Sequence, residues 1–148
     1  MNAEQDKMDF VILAAGDGKR FLSADPSTRR AKQFQLLAGR MVLLHSLDKI
    51  SQWPSCGQIV IVLPQDGVEV DILNSLETAA RAATVPVSFT PGGASRSAST
   101  LNGLKALSAL IPNKLVAIHD AARPFVPHRV LNEFCLLYTS PSPRDKSS

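Results

Sequence analysis

The feature that most constrains the fold is a short apolar run that breaks into a glycine turn. Residues 10–15 (FVILAA) are continuously apolar, as expected for a parallel strand that is buried on both faces. Gly16-Asp17-Gly18 follows directly. Glycines let a backbone turn sharply and bring its N–H groups close to a ligand. The stretch therefore predicts a strand followed by an anion-binding loop.

Positive charge is concentrated just after this turn. Residues 17–32 contain five basic and two acidic residues, a net charge of +3, which equals the formal charge of the whole chain. Concentrated charge attracts and holds anions. The pattern favours a polyphosphate-binding loop over the alternative, a glycine turn with solvated charges.

Two common phosphate-binding loops do not fit this stretch. A P-loop requires G-x-x-x-x-G-K-[ST], but Gly18-Lys19 is followed by Arg20 and Leu13 stands where the first glycine belongs. A dinucleotide fingerprint requires G-x-G-x-x-G, and Phe21 occupies its third glycine position. The acid after the second predicted strand, Asp66, also comes too late for that motif.

Composition is ordinary for a globular protein and excludes several classes. The length of 148 residues predicts one domain, and 45% of the residues are hydrophobic. With 5% aromatic residues and no basic stripe, nucleic-acid binding is not favoured. The cysteines and histidines lack metal-ligand spacing. No membrane-length apolar run or signal peptide is present, so we expect a cytoplasmic protein without a membrane partner.

Strand and helix patterns alternate along the chain, which predicts an α/β fold with a mainly parallel sheet and helices on both faces. The predicted helices cover residues 41–53, 71–83, about 97–110 and a segment that begins near His128 or Arg129. The further predicted strands are 58–63, 85–89 and 115–118, and residues 36–40 are predicted to form a short turn. Residues 1–135 are assigned to the domain. Residues 136–148, rich in Ser and Pro, are predicted to be a disordered or artefactual tail.

A second loop of unusual composition, residues 91–100 (PGGASRSAST), follows the third predicted strand. Loops at the carboxyl ends of parallel strands line the ligand crevice of an open α/β sheet. This one offers backbone N–H groups, hydroxyls and a helix N-terminus, which suit a pyrimidine edge or a phosphate. N-capping of the helix by Ser97, Ser99 or Thr100 is an equally good explanation.

The third loop, residues 119–124 (HDAARP), follows the fourth predicted strand. Asp120 is placed to accept from ribose hydroxyls or to hold Mg²⁺. Arg123 offers a planar fork for a phosphate. The alternative is a surface Asp–Arg pair with a helix cap. His119 is predicted to be a packed strand-end residue rather than a catalytic base.

Taken together, these motifs resemble those of the 2-C-methyl-D-erythritol 4-phosphate cytidylyltransferase family of non-mevalonate isoprenoid biosynthesis. The resemblance covers about residues 9–130 and implies a Rossmann-like nucleotidyltransferase fold. Its matching pieces are residues 14–20 (AAGDGKR), 32–34 (KQF), 43–47 (LLHSL), Gly92-Gly93 with Arg96 and Ser99, Gly103-Leu104 and residues 119–124.

The resemblance implies a role for each matching position. The reaction would be in-line attack by the substrate's phosphate on the α-phosphorus of CTP, with Mg²⁺ as cofactor and pyrophosphate as leaving group. Arg20 and Lys32 would be the catalytic cations, and Arg123 would bind the methylerythritol phosphate. The implied nucleotide-binding residues are Ala14, Ala15, Gly16, Gly18, Gly92, Gly93, Ser99, Asp120 and Ala121.

The sequence also departs from the family pattern. Leu13 and Ala31 stand where prolines are usual, Ala94 stands where an aspartate is common, and the segment of residues 23–31 is longer than in compact members.

The family domain continues beyond residue 135. We therefore expect a fold that is incomplete at the C-terminus, with a CTP half-site and weak or no turnover, and a homodimer in the full-length protein. A second enzyme fused downstream is also compatible with the resemblance. The alternative functions are a cytidylyltransferase for another polyol or sugar phosphate and a non-catalytic nucleotide-binding domain.

Overall fold

In a computed structural model of the chain, four parallel strands form a central sheet. The structure describes residues 7–16, 31–107, 115–123 and 127–132. Within these residues the sheet has the order β5-β4-β1-β6, and all three pairings are parallel. This confirms the mainly parallel α/β architecture. The strands of this part of the chain are β1 (Met8–Leu13), β2 (Leu36–Leu37), β3 (Arg40–Met41), β4 (Cys56–Leu63), β5 (Val87–Pro91) and β6 (Val116–Asp120).

Helices cover both faces of the sheet, as predicted. Successive side chains of a strand point to opposite faces, so β1 and β4 contribute alternate residues to two apolar clusters. The first cluster joins Phe10 and Ile61 to the helices α1 (Val42–Gln52) and α2 (Val70–Ala82). The second joins Val11 and Val62 to residues of and just after α3 (Arg96–Ala106).

Gly103 lets α3 lie close against the sheet. A Cβ atom at this position would overlap the Val11 side chain and lie 2.9 Å from Cγ2 of Val62. Both valines are fully buried on adjacent central strands. The helix therefore approaches the sheet to a distance that only glycine permits.

The bounds of several elements differ from the predictions. β1 begins at Met8 and includes the buried Asp9, because Oδ2 of Asp9 accepts a hydrogen bond of 3.0 Å from Gln58 and so tolerates the interior. The third and fourth strands of the sheet were predicted too early, since β5 covers Val87–Pro91 and β6 extends to Asp120. Pro91 is tolerated at the end of β5 because this is an edge strand of the described sheet.

Two further elements differ from the predictions. Residues 36–40, predicted as a short turn, belong to the hairpin of β2 and β3, and its turn residues Ala38 and Gly39 both have positive φ. The helix α3 begins at Arg96 and ends at Ala106 instead of covering about 97–110, and residues 108–110 lie outside the described part.

The C-terminal predictions are tested only in part. Residues 128–132 are helical, in agreement with a helix that begins near His128. The boundary at residue 135 and the tail 136–148 lie outside the described residues. No helix in the described ranges is long and apolar enough to span a membrane.

The strand order places a ligand crevice at one edge of the sheet. The chain builds β1, β4 and β5 outward in one direction and then returns to place β6 on the other side of β1. In open parallel sheets such a topological switch point, at the carboxyl ends of the strands, is where ligands bind. Here it lies where Leu13 of β1 aligns with Asp120 of β6.

Candidate active site

A cleft of about 770 Å³ opens at this edge. The volume lies within the range of small-molecule sites, roughly 300–1,000 Å³. Described residues of all three loops of unusual composition line it, since the lining includes residues from the end of β1, from the start of α3 and from the turn after β6. The short 3-10 helix Lys32–Phe34 and the loop after β4 complete the wall.

Most of the predicted site residues that the structure describes lie on this cleft. Ala14 and Gly92 are buried and lie outside its lining. Gly18 and Arg20 lie outside the described residues. The predicted residues that line the cleft are Ala15, Gly16, Lys32, Gly93, Ser99, Asp120, Ala121 and Arg123.

Steric contacts fix the loop at Gly92 and Gly93. A Cβ atom on Gly92 would lie 2.5 Å from Cβ of Ala15, 2.8 Å from Oγ of Ser99 and 3.0 Å from the carbonyl oxygen of Leu63. A Cβ atom on Gly93 would lie 2.6 Å from Cβ of Ala98. The backbone of this loop therefore packs directly against the end of β1 and the first turn of α3.

Ser99 completes this loop from α3. Its side chain is buried, and its Oγ accepts a hydrogen bond of 3.0 Å from the Gly93 N–H. The explanation that Ser97, Ser99 or Thr100 caps α3 is wrong, because Ser95 is the N-cap and its Oγ accepts from the Ala98 N–H at 3.1 Å. Ser99 therefore does not cap α3, and its hydroxyl group binds the loop at Gly93 instead.

Gln33 ties the end of β1 to the helix that carries Lys32. Its buried Nε2 donates to the carbonyl oxygens of Ala14 at 3.0 Å and Gly16 at 2.7 Å. Phe34, also buried, anchors the same short helix in the core. Lys32 is exposed and lines the cleft.

Two side chains hold the turn after β6 through one carbonyl group. The carbonyl oxygen of Arg123 accepts from Oγ of the buried Ser46 at 2.9 Å and from Nε2 of His119 at 2.7 Å. Burial lowers the pKa of His119, and it outweighs the opposing effects of the Arg123 carbonyl and Asp120. A neutral imidazole that donates to a carbonyl agrees with a packed strand-end residue.

An exposed ion pair crosses the cleft. Arg96, at the start of α3, lies with one guanidinium nitrogen 3.3 Å from Oδ1 of Asp120, and both side chains are partly exposed. The surface pair considered for Asp120 thus forms with Arg96 rather than with Arg123. Exposed pairs contribute little to stability, so a ligand can displace Arg96 from Asp120 at small cost.

The charged residues that line the described cleft are mainly cationic. They are Lys32, Arg96 and Arg123 against Asp66 and Asp120. Neither Lys32 nor Arg123 takes part in an ion pair with another described residue. Within the described residues these two cations are thus placed to meet an anionic ligand.

Sequence reasoning gave no role to three side chains that shape this site. Gln33 and Arg96 were noted only as parts of matching motifs, and Ser46 only within the segment 43–47. The motif KQF at residues 32–34 did indicate a role for Gln33. A glutamine between a lysine that lines the cleft and a buried phenylalanine lies where its side chain can reach the backbone. No local pattern indicates that Ser46 bonds the carbonyl of Arg123, 77 residues away.

Comparison with known proteins identifies the family. The model of the 2-C-methyl-D-erythritol 4-phosphate cytidylyltransferase (IspD) family matches residues 8–142. The chain belongs to this family. The match also runs past residue 135, into the segment predicted to be a tail.

Named relatives agree with this assignment. The 2-C-methyl-D-erythritol 4-phosphate cytidylyltransferase of Carboxydothermus hydrogenoformans is 32% identical over 130 residues, which cover 86% of this chain and 50% of that protein. The bifunctional enzyme IspD/IspF of Rhizobium rhizogenes is 34% identical over 134 residues, which cover 90% of this chain and 31% of the relative. The chain thus spans half or less of the length of these two members of the IspD family.

A solved structure confirms the fold. The crystal structure of 4-diphosphocytidyl-2C-methyl-D-erythritol synthase from Anaerococcus prevotii superposes with a TM-score of 0.63 at 25% identity. The superposition covers 90% of this chain and 52% of that protein. The Rossmann-like nucleotidyltransferase fold is therefore shared with a solved member of the family.

Proposed function

We propose that this chain forms the CTP-binding part of a cytidylyltransferase. The enzyme would transfer a cytidylyl group from CTP to 2-C-methyl-D-erythritol 4-phosphate and release pyrophosphate, a step of non-mevalonate isoprenoid biosynthesis. Family membership supports the reaction type. The observation that carries the proposal is the cleft at the switch point, where Lys32, Arg123 and the Gly93 loop come together.

The cleft offers a separate place for each part of the nucleotide. Gly93 and Ser99 would face the cytosine, since a backbone and a hydroxyl in close contact can read a pyrimidine edge. Ala15 and Gly16 would border the ribose and the phosphates. Asp120, at the end of β6, would accept from the ribose hydroxyls.

Positioning and charge would supply the catalysis. A phosphate oxygen of the acceptor attacks the α-phosphorus, the bond from that phosphorus to the β-phosphate bridge oxygen breaks, and pyrophosphate leaves. The attacking phosphate is already anionic and needs no general base. Lys32, together with Arg20, would neutralise charge that develops around the α-phosphorus, and Arg123 would hold the acceptor's phosphate.

The described residues fit a magnesium ion that is held mainly by the substrate. In the described ranges no group of three or more His, Cys, Asp or Glu is placed to hold a metal. Mg²⁺ is commonly bound by one or two carboxylates together with substrate phosphates. As the alternative to its contact with the ribose hydroxyls, the Asp120 carboxylate on the cleft would hold the ion. When bound, the ion would neutralise triphosphate charge.

Two parts of the proposal concern the whole protein. The family resemblance implies a homodimer, which sedimentation equilibrium would detect as a doubled mass. We also propose that the enzyme is cytoplasmic, which fractionation of cells that express the natural protein would test.

Calorimetric titration with CTP in the presence of Mg²⁺ tests the nucleotide site. We expect the chain to bind CTP in preference to ATP. Lys32→Ala should weaken CTP binding roughly tenfold to a hundredfold, because one charge-assisted contact is lost. The matched control is Lys49→Ala, which removes an exposed lysine from α1 away from the cleft lining.

Three results would contradict the proposal. They are no binding of CTP by the folded chain, equal binding of ATP, and equal losses of affinity in the two lysine variants. Circular dichroism establishes that each variant is folded before titration.

A further inference from the structure

Gln33 is the buried polar side chain at the cleft for which the proposed reaction gives no role. Only 5% of its surface is exposed, and its Nε2 group donates to the carbonyl oxygens of Ala14 and Gly16 at 3.0 and 2.7 Å. A primary amide carries two N–H donors on one nitrogen. Both are used, and both go to the backbone that leads out of β1.

These two hydrogen bonds connect the backbone that follows β1 to the short helix that carries Lys32. Ala14 and Gly16 lie directly after β1, whereas Gln33 lies on the short helix that begins at Lys32. Helix packing alone would leave a short segment poorly fixed, since a single 3-10 turn has few internal hydrogen bonds. Phe34 holds the helix to the core, and Gln33 holds it to the glycine loop.

The contacts also fix the direction of backbone donors. In a trans peptide the C=O and N–H groups point to opposite sides, and the described backbone has no cis peptide bond. When Gln33 binds the Ala14 carbonyl, it therefore also sets the direction of the Ala15 N–H. Ala15 lines the cleft.

We propose that Gln33 is a positioning residue for nucleotide binding, which holds the Ala14–Gly16 backbone and Lys32 in one arrangement. This inference rests on the proposed function, since CTP is the ligand whose binding it supports. Gln33 does not itself need to touch the nucleotide. Its contribution is to fix backbone N–H groups and a cation relative to each other before the triphosphate arrives.

Substitution chemistry makes the proposal specific. Gln33→Met keeps the length of the side chain but removes both donors. Gln33→Glu keeps the shape, but a carboxyl group has one donor when protonated and none when ionised, so at least one of the two carbonyl oxygens loses its hydrogen bond from residue 33. We expect both variants to bind CTP and inorganic tripolyphosphate at least tenfold more weakly than the wild type, because a small misplacement of binding groups is costly.

A control separates positioning from general stability. Ile72→Val, in the core on α2 and away from the cleft lining, should lower thermal stability without changing the affinity for CTP. Amide hydrogen exchange measured by NMR supplies a second readout. In the Gln33 variants exchange should accelerate locally at Ala14, whose N–H donates to the carbonyl oxygen of Val62 at 2.8 Å, whereas loss of global stability would accelerate exchange throughout the slowest strands.

The outcomes distinguish this inference from the proposed function. Titrations are made with CTP and with tripolyphosphate, at a temperature where circular dichroism shows each variant to be folded. If the wild type binds CTP and both Gln33 variants bind it equally well, the role of Gln33 is overturned and the nucleotide site stands. If the folded wild type binds neither probe, the proposed function and the role of Gln33 fall together. Weakened binding in the Gln33 variants, with unchanged binding in Ile72→Val, is the expected result.

Discussion

Two walls of the cleft are held in place by different kinds of interaction. The loop at Gly92 and Gly93 is fixed by direct steric contact, since a Cβ atom on either glycine would lie within 2.6 Å of another side-chain atom. The turn after β6 is fixed by hydrogen bonds, because Ser46 and His119 both donate to the carbonyl of Arg123. The position of the first wall depends on two residues that lack a Cβ atom, and the position of the second depends on two hydrogen-bond donors.

This difference predicts how each wall tolerates change. Repulsion rises steeply with overlap, so one added methyl group displaces a sterically fixed loop. A carbonyl with two donors can lose one and keep the other, so the hydrogen-bonded turn should weaken in steps. Both walls line the same cleft, which makes the comparison measurable in one protein.

The largest effect is expected from Gly92→Ala. The added Cβ would lie 2.5 Å from Cβ of Ala15 and 3.0 Å from the backbone oxygen of Leu63, which cannot rotate away. We expect a loss of unfolding free energy of about 1–3 kcal/mol. Urea denaturation gives this value. Gly16→Ala is the matched control for stability, because its Cβ would meet nothing within 4 Å. Equal losses in the two variants would refute a steric origin.

A smaller effect is expected from Ser46→Ala. The variant removes one of two donors to the Arg123 carbonyl, so the free energy of unfolding should fall by about 1 kcal/mol. Ser51→Ala on the same helix is the control, since its hydroxyl makes only a longer bond of 3.3 Å to the carbonyl of Asp48. Paired urea denaturation curves measure both. The turn is not held by Ser46 if the control loses as much stability.

The smallest effect is expected from the titration of His119. Burial lowers the pKa of His119 from its ordinary value of 6.5. As the pH falls below 6.5 the unfolded state takes up the proton first, so stability should decline until the pH passes the folded-state pKa. His119→Gln keeps a donor and should make this decline shallower.

Melting temperatures of the wild type and of His119→Gln between pH 5 and 8, roughly the range over which histidine titrates, test the prediction. His128→Gln is the control, because His128 bonds the Lys49 carbonyl outside the cleft. A decline of the same slope in the wild type and in His119→Gln would remove His119 as its source.

The central strands were predictable because a buried parallel strand leaves an unbroken apolar run. Residues 10–15 and 58–63 carry such runs. Residues 10–13 and 58–63 lie in the two central strands, whereas Ala14 and Ala15 follow the end of β1. β5 was placed two residues too early because its side chains are only partly buried and its pattern is weak. Asp9 was left out of the predicted β1, because a charged residue is not expected in the interior. In the structure Gln58 donates a hydrogen bond to its carboxylate there.

The site was predictable as a set of loops but not as a set of contacts. Glycine and charge patterns mark the loops locally, and the order of parallel strands brings their carboxyl ends together. The contacts that hold the loops join residues distant in the chain, as Gln33 with Ala14 or Ser46 with Arg123. The hydrophobic periodicity of a sequence does not predict such pairs, because each pair depends on how separate elements pack together.

The pairing of β1 with β6 also determines when the cleft comes into existence. Leu13 aligns with Asp120, a separation of 107 residues. On the ribosome, where a chain grows by roughly 5–20 residues per second, β1, β4 and β5 can associate about one to six seconds before β6 has been synthesised. The cleft is therefore the last part of the described sheet to be assembled during synthesis. A ligand that binds there stabilises only chains in which β6 has already paired with β1, so it would also act as a late checkpoint of folding.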